Sequence, residues 1–274
     1  MKRVISFLII ISVGLIVISF PSCSVNKAKI DNNLKKYFDA KKVEGCFTML
    51  NNIDGTVTVY NMELDTFRFT PASTFNIANA LIGLQTGIIT DETMQVKWDG
   101  IIHPNKDWNK DLTLKEAIKV SSTPYFQEIA RRIGRDTMQH WIDTLSYGNK
   151  NTKGPIDSFW LSNQLKISPD EQLGFLKKLY FDQLPFRKTV QQSVRDMMIQ
   201  EDNTMYKLSY KTGLGIDGQK NNIGWVAGWI EENRHVYFFV TLVKSPDPAI
   251  DLITARLNIT KDIFKELGFM QGKK

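Results

Sequence analysis

The stretch Pro71-Ala72-Ser73-Thr74-Phe75-Asn76-Ile77-Ala78-Asn79-Ala80-Leu81-Ile82-Gly83-Leu84 turns apolar from Ile77 onward, and Gly87 follows it. Proline ahead of a first turn and glycine behind a last one bracket a helix, so a helix is predicted over Ser73–Thr86. A serine in its opening turn has an exposed hydroxyl in the positive field of the helix N-terminus. Such a serine suits the role of acyl-forming nucleophile, although taken alone it reads more simply as a cap. Three later motifs shift the balance to the nucleophile: Ser121-Ser122-Thr123, Tyr147-Gly148-Asn149 and Lys211-Thr212-Gly213. Each is weak by itself; their joint order and context are strong.

Outward from the serine helix the chain divides by pattern. Gly45–Leu50 and Thr56–Asn61 are strand-like, and the Asp54-Gly55 pair between them signals a hairpin. Asn32–Phe38 opens a first helix. Thr113 and Glu116 form a capping box, and the helix they open is predicted to reach about Gly134. An interruption is expected at Ser121, ahead of Pro124, because the residue before proline disfavours helical backbone. Ser168-Pro169-Asp170-Glu171 opens another helix that continues through Leu179. Lys207–Thr212, Asn222–Glu231 and Val236–Val243 read as strands, and Asp251–Leu267 as a closing helix stopped by Gly268. Two strands, a helical block, three strands and a helix predict an α/β (α+β) fold, with a mainly antiparallel sheet flanked by helices and a segregated helical region. Two strands alone are marginal, so the terminal blocks are expected to share one sheet.

The 274 residues carry a net charge of +6. The basic residues are scattered, with pairs such as Lys177-Lys178 and no runs, which argues for a solvated basic surface and against nucleic-acid binding. Lys2 and Arg3 precede the apolar run Val4–Phe20, which ends in Pro21-Ser22-Cys23, the pattern of a secretory signal. A cysteine directly after small residues at that point resembles a bacterial lipobox. Residues 1–23 are therefore expected to be a signal peptide with Cys23 as the lipidated membrane anchor, 24–33 a tether and 34–274 the folded domain. Localisation is then exported and membrane-anchored, facing the periplasm or cell envelope. Cys46 reads as a buried strand residue. The three histidines are isolated, and no phosphate loop or dinucleotide fingerprint occurs, so neither metal nor cofactor is expected.

At the four motifs the chain resembles the class D (oxacillinase-type) serine β-lactamases and the penicillin-binding transpeptidases. The resemblance runs from Gly45 through Gly268 and includes Gln127-Glu128-Ile129-Ala130-Arg131, Phe159-Trp160-Leu161 and Ile223-Gly224-Trp225-Val226-Ala227-Gly228-Trp229. It implies the β-lactamase/transpeptidase-like fold, a β-lactam or peptidoglycan-like small molecule as ligand, and a set of roles. Ser73 would be the nucleophile, and its N–H with that of Leu214 would form the oxyanion hole. Ser121 would relay a proton to the substrate nitrogen. Lys211 would hold that proton network and add positive potential. Thr212 and Arg256, beside Gly213, would hold the substrate carboxylate. Tyr147-Gly148-Asn149 is more architectural.

The sequence departs from this pattern at Asn76. Members read Ser-x-x-Lys, and in class D the lysine takes up carbon dioxide. The resulting carbamate is the general base for acylation and deacylation, with Trp160 donating to it and Leu161 keeping its pocket dry. Asparagine has no such basicity and forms no carbamate; loss of a general base slows a reaction by about 10²- to 10⁴-fold. Thr123 stands where the family has valine, and its hydroxyl is expected to pair with the Asn76 amide, giving a polar pocket. The expected function is β-lactam binding with acylation at Ser73 and slow or lost hydrolysis. A non-hydrolytic penicillin-binding sensor and a cell-envelope scaffold with a silent Ser73 are the rival readings.

Overall fold

The computed structural model describes residues 27–274; the signal segment and Cys23 lie outside them. Its strands are β1 (Lys27–Ile30), β2 (Glu44–Asn51), β3 (Thr56–Tyr60), β4 (Gln95–Val96), β5 (Leu112–Thr113), β6 (Ile199–Asp202), β7 (Tyr206–Ile216), β8 (Asn222–Glu232) and β9 (His235–Ser245). Its α-helices are α1 (Lys35–Ala40), α2 (Met62–Thr66), α3 (Asn76–Thr86), α4 (Leu114–Lys119), α5 (Thr123–Ile133), α6 (Arg135–Leu145), α7 (Pro169–Tyr180), α8 (Lys188–Met197) and α9 (Leu252–Glu266). One sheet of seven strands runs in the order β1-β3-β2-β9-β8-β7-β6. Both terminal blocks contribute to it, and only the β1–β3 pairing is parallel.

The sheet is covered on both faces, and the strand period of two sorts its side chains between two cores. Trp225, Ala227 and Trp229 of β8, with Phe238, Val240 and Leu242 of β9, join the larger core shared with α3, α5, α7 and α8. Their neighbours Val226, Ile230, Phe239 and Val243 face the other way, onto Ile259, Ile263 and Phe264 of α9 and Phe38 of α1. Burial on both faces is why β8 and β9 read as nearly unbroken apolar runs.

Several helix limits follow local chemistry. The capping boxes at Thr113/Glu116 and Ser168/Glu171 are both formed. Gly87 closes α3 in the left-handed conformation, with φ 76°. The helix expected from Thr113 to Gly134 is two helices, α4 and α5. Between them Ser121 takes φ 53°, and Ser122 caps α5 by accepting from the Tyr125 N–H. Residues 24–33, expected as a tether, are in part folded: Lys27–Ile30 is the exposed edge strand β1, and Asp31 caps a 3-10 turn over Asn32–Leu34. An edge strand can be held through its backbone alone, so its polar composition gave no sign of it. At the other end, the buried Glu232 carboxylate accepts from the backbone N–H groups of Met270, Lys273 and Lys274.

Asp65 of α2 is 3% exposed, and its Oδ1 has no hydrogen-bond partner among the described residues. Burial first, and then the negative charge of Asp170, push its pKa up to about 7. An unfolded chain releases this proton near pH 4, at the ordinary aspartate value of about 3.9. The stability contributed by protonated Asp65 is thus complete below about pH 4 and is lost as the pH rises to about 7, by about 1.4 kcal/mol per pH unit. Asp65→Asn should raise the melting temperature by several degrees at about pH 8 and hardly change it at about pH 4; melts at both values check this.

Candidate active site

Ser73 lies in a single 3-10 turn, Ala72–Phe75, that runs directly into α3. The turn is half-open: Ser73 is partly exposed, while Ala72, Thr74 and Phe75 are buried. Ala72 has φ 48° and Ser121 has φ 53°. Left-handed backbone is uncommon for residues with a Cβ and concentrates at functional sites. The Trp160 carbonyl holds the approach to the turn, accepting from the Ala72 N–H at 3.2 Å and the Thr70 hydroxyl at 2.9 Å.

β7 passes directly in front of this turn. A Cβ at Gly213 would stand 3.0 Å from the Pro71 carbonyl oxygen and 3.3 Å from the Thr74 nitrogen, so any larger residue would press the turn back by a few tenths of an ångström. Gly224 of β8, beside Leu214, has the second such role: a Cβ there would lie 3.2 Å from Cδ of Arg256. Through that gap Arg256 of α9 reaches the Gly213 carbonyl with Nη1. Because a peptide unit is trans and planar, the Leu214 N–H points away from this guanidinium. The Leu214 side chain is exposed on the rim.

Lys211, 3% exposed, donates from Nζ to Ser121 Oγ and to the Thr212 carbonyl, the latter at 3.0 Å. No carboxylate among the described residues pairs with it. Burial, followed by the positive charge of Arg256, pushes its pKa down to about 7. Arg256 is itself lowered to about 10 by burial, and its Nε has no partner among the described residues. Thr212 between them is half-exposed.

Asn76 begins α3 one turn beyond Ser73 and is 2% exposed. Its Nδ2 donates to no described residue. The expected pair with Thr123 is therefore not formed; Thr123 is the first residue of α5 and its placement follows from that helix start. The residue before it is packed among aromatic rings. Phe75 packs on Trp160 at 5.4 Å, on Phe159 at 5.3 Å and on Tyr147 at 5.6 Å between ring centres. Trp160 is 1% exposed. The Tyr147-Gly148-Asn149 turn braces the segment that bears it. The Tyr147 hydroxyl bonds Gln172 at 3.0 Å, while Asn149 donates to the Gln164 carbonyl at 2.8 Å and accepts from the Lys166 N–H at 2.9 Å.

The structure thus joins Lys211 to Ser121 and Arg256 to Gly213, and sets β7 at Gly213 against the turn that bears Ser73. One contributor went unread in the sequence. Asn79, 0% exposed, donates Nδ2 to the Phe126 carbonyl at 3.1 Å and so ties α3 to α5 near the starts of both. The signal was present, since Asn76 and Asn79 are polar residues one turn apart on an otherwise apolar helix.

A hydroxyl at a helix start, opposed by a strand with a buried lysine and a second hydroxyl bonded to that lysine, is an arrangement suited to serine acyl transfer. Comparison with known proteins agrees. Residues 25–267 match the penicillin-binding protein transpeptidase domain. β-Lactamase OXA-5 of Pseudomonas aeruginosa is 40% identical over 84% of this chain and 87% of its own. The crystal structure of a class D β-lactamase from Sebaldella termitidis superposes with a TM-score of 0.85 at 34% identity, over 90% of this chain and 100% of that one. The C-terminal domain of the BlaR penicillin receptor of Bacillus licheniformis superposes with a TM-score of 0.83 at 31% identity, over 91% and 99%. The chain belongs to the penicillin-binding transpeptidase and class D β-lactamase family.

Leaving a buried donor unbonded costs about 1–3 kcal/mol, so the Asn76 amide is held at the expense of stability. Asn76→Leu should raise the unfolding free energy by about that amount, read from urea unfolding; an unchanged or lower midpoint would contradict the unbonded state of Nδ2.

Proposed function

We propose that the protein binds β-lactams or a peptidoglycan-like analogue and is acylated at Ser73, and that hydrolysis of the acyl-enzyme is slow or lost. The observation that carries this reading is the contrast within the cleft. The groups suited to acylation are assembled, while the position of the family's general base holds a buried carboxamide with an unbonded donor. In this reading Ser73 Oγ attacks the ring carbonyl, whose oxyanion is received by the N–H groups of Ser73 and Leu214. Thr212 and the positive charge of Arg256 behind it attract the substrate carboxylate. The nitrogen that leaves takes a proton from Ser121. In this reading the Asn76 carboxamide cannot activate the water that would release the acyl group, which favours a long-lived adduct. That behaviour suits a sensor, a reading supported by the likeness to the BlaR receptor domain.

Intact-mass measurement after exposure to benzylpenicillin tests this. The expected result is a lasting single adduct that maps to Ser73 and disappears in Ser73→Ala. A transient adduct with released penicilloate indicates a working hydrolase, and no adduct at all indicates a scaffold.

The signal-like run ending at Cys23 further supports an exported lipoprotein held to a membrane by lipid on Cys23. Cys23→Ala should move the protein from the membrane fraction to the soluble one; an unchanged distribution would refute the anchor.

A further inference from the structure

We infer that Lys211, acting through Ser121, is the general base for acylation of Ser73 in this protein. The inference rests on the acylation reading above and assigns the proton that the absent lysine would otherwise accept.

Three contacts frame it. β7 is pressed against the Ser73 turn at Gly213. Lys211, two residues earlier on the same strand, bonds the Ser121 hydroxyl. Asn79 and Phe126 link α3 to α5 near their starts, which keeps the Ser121 turn beside the Ser73 turn. Ser121 is held in left-handed backbone between two helices, a conformation that aims its hydroxyl at Lys211 in preference to helix capping, which falls to Ser122.

Lys211 is also in the right state. An ammonium needs acceptors for three N–H groups; here it has a hydroxyl and one carbonyl, is 3% exposed, and has no carboxylate. The charges on the adjoining elements do not help it. Glu231 and Glu232 of β8 stand opposite Lys207 and Tyr206, and Asp202 of β6 also faces Lys207, all four or more residues along the strand. Glu201 of β6 is bonded to Lys261 of α9 and to Tyr206. The 3-10 turn Ala72–Phe75 carries no titratable side chain, and the charge from α9 that reaches Lys211 is the like charge of Arg256. Neutral amine is therefore well populated near pH 7, where burial and Arg256 put the titration.

The step balances without a co-reactant. Ser73 Oγ bonds to the ring carbonyl carbon as its proton passes to Ser121 Oγ and the Ser121 proton passes to Nζ. The carbon–nitrogen bond of the ring then breaks, and the nitrogen takes a proton from Ser121, which recovers one from Lys211. The relay returns to its starting state once the nitrogen is protonated, so acylation leaves no net proton on Lys211.

The test is the rate of benzylpenicillin adduct formation, by intact mass, for wild type, Lys211→Arg and Ser121→Ala across neutral pH, with and without bicarbonate. The wild-type rate should climb through one limb centred near pH 7 and then level, with no response to bicarbonate. Arginine keeps the charge and stays protonated; Lys211→Arg should lose the limb and about 10²-fold or more in rate. Ser121→Ala, which leaves Lys211 intact, should lose the limb as well, so the assignment stays testable if the arginine variant misfolds. A flat wild-type profile, a limb surviving in either variant, or acceleration by bicarbonate would overturn the assignment while leaving acylation at Ser73 intact. Absence of any wild-type adduct would overturn both.

Discussion

The close approach of β7 to the Ser73 turn is the constraint on which the rest of the molecule is arranged. At Gly213 the strand and the turn are separated by the space of a missing Cβ. The sheet and the helical region meet there, and each supplies half of the cleft. Lys211 reaches Ser121 because the strand is pinned two residues further on. The pin itself is secured from behind by Arg256, which crosses β8 over Gly224 to hold the Gly213 carbonyl. A guanidinium spent on a backbone carbonyl acts here as much on the position of the strand as on its electrostatics. Its charge adds to the burial that lowers the Lys211 pKa.

How much of this was legible in the sequence depended on whether an element announces its own ends. The helices α3, α4 and α7 were read because a glycine stop or a capping box marks them. α6 and α8 have no side-chain cap at their starts and were missed, although both form and pack. β8 and β9 declared themselves by unbroken apolar runs, which only a strand buried on both faces needs. β1 has no buried side chain and pairs through its backbone, so no pattern could betray it. The cleft residues were legible as motifs in order, yet the contacts that join them span the chain. Lys211 and Ser121 are ninety residues apart, and nothing in either motif states that they touch.

The interior of the cleft was legible only in part, for a related reason. Two polar replacements, Asn76 and Thr123, suggested a mutually satisfied pair. The fold instead leaves the Asn76 donor without a partner among the described residues, while the start of α5 is capped by Ser122, the neighbour of Thr123. Sequence reveals which groups are available for bonding, whereas helix starts decide which of them meet. Phe75, the residue before Asn76, is packed among the rings of Tyr147, Phe159 and Trp160.

Asn76 also has a genetic neighbourhood. The codons for asparagine and lysine differ only in their third base, so a single substitution rewrites this buried carboxamide as an amine. Any large population carrying the gene samples that change continually. A carboxamide at this position is thus never mutationally remote from an amine, and the coding distance offers no barrier between the two.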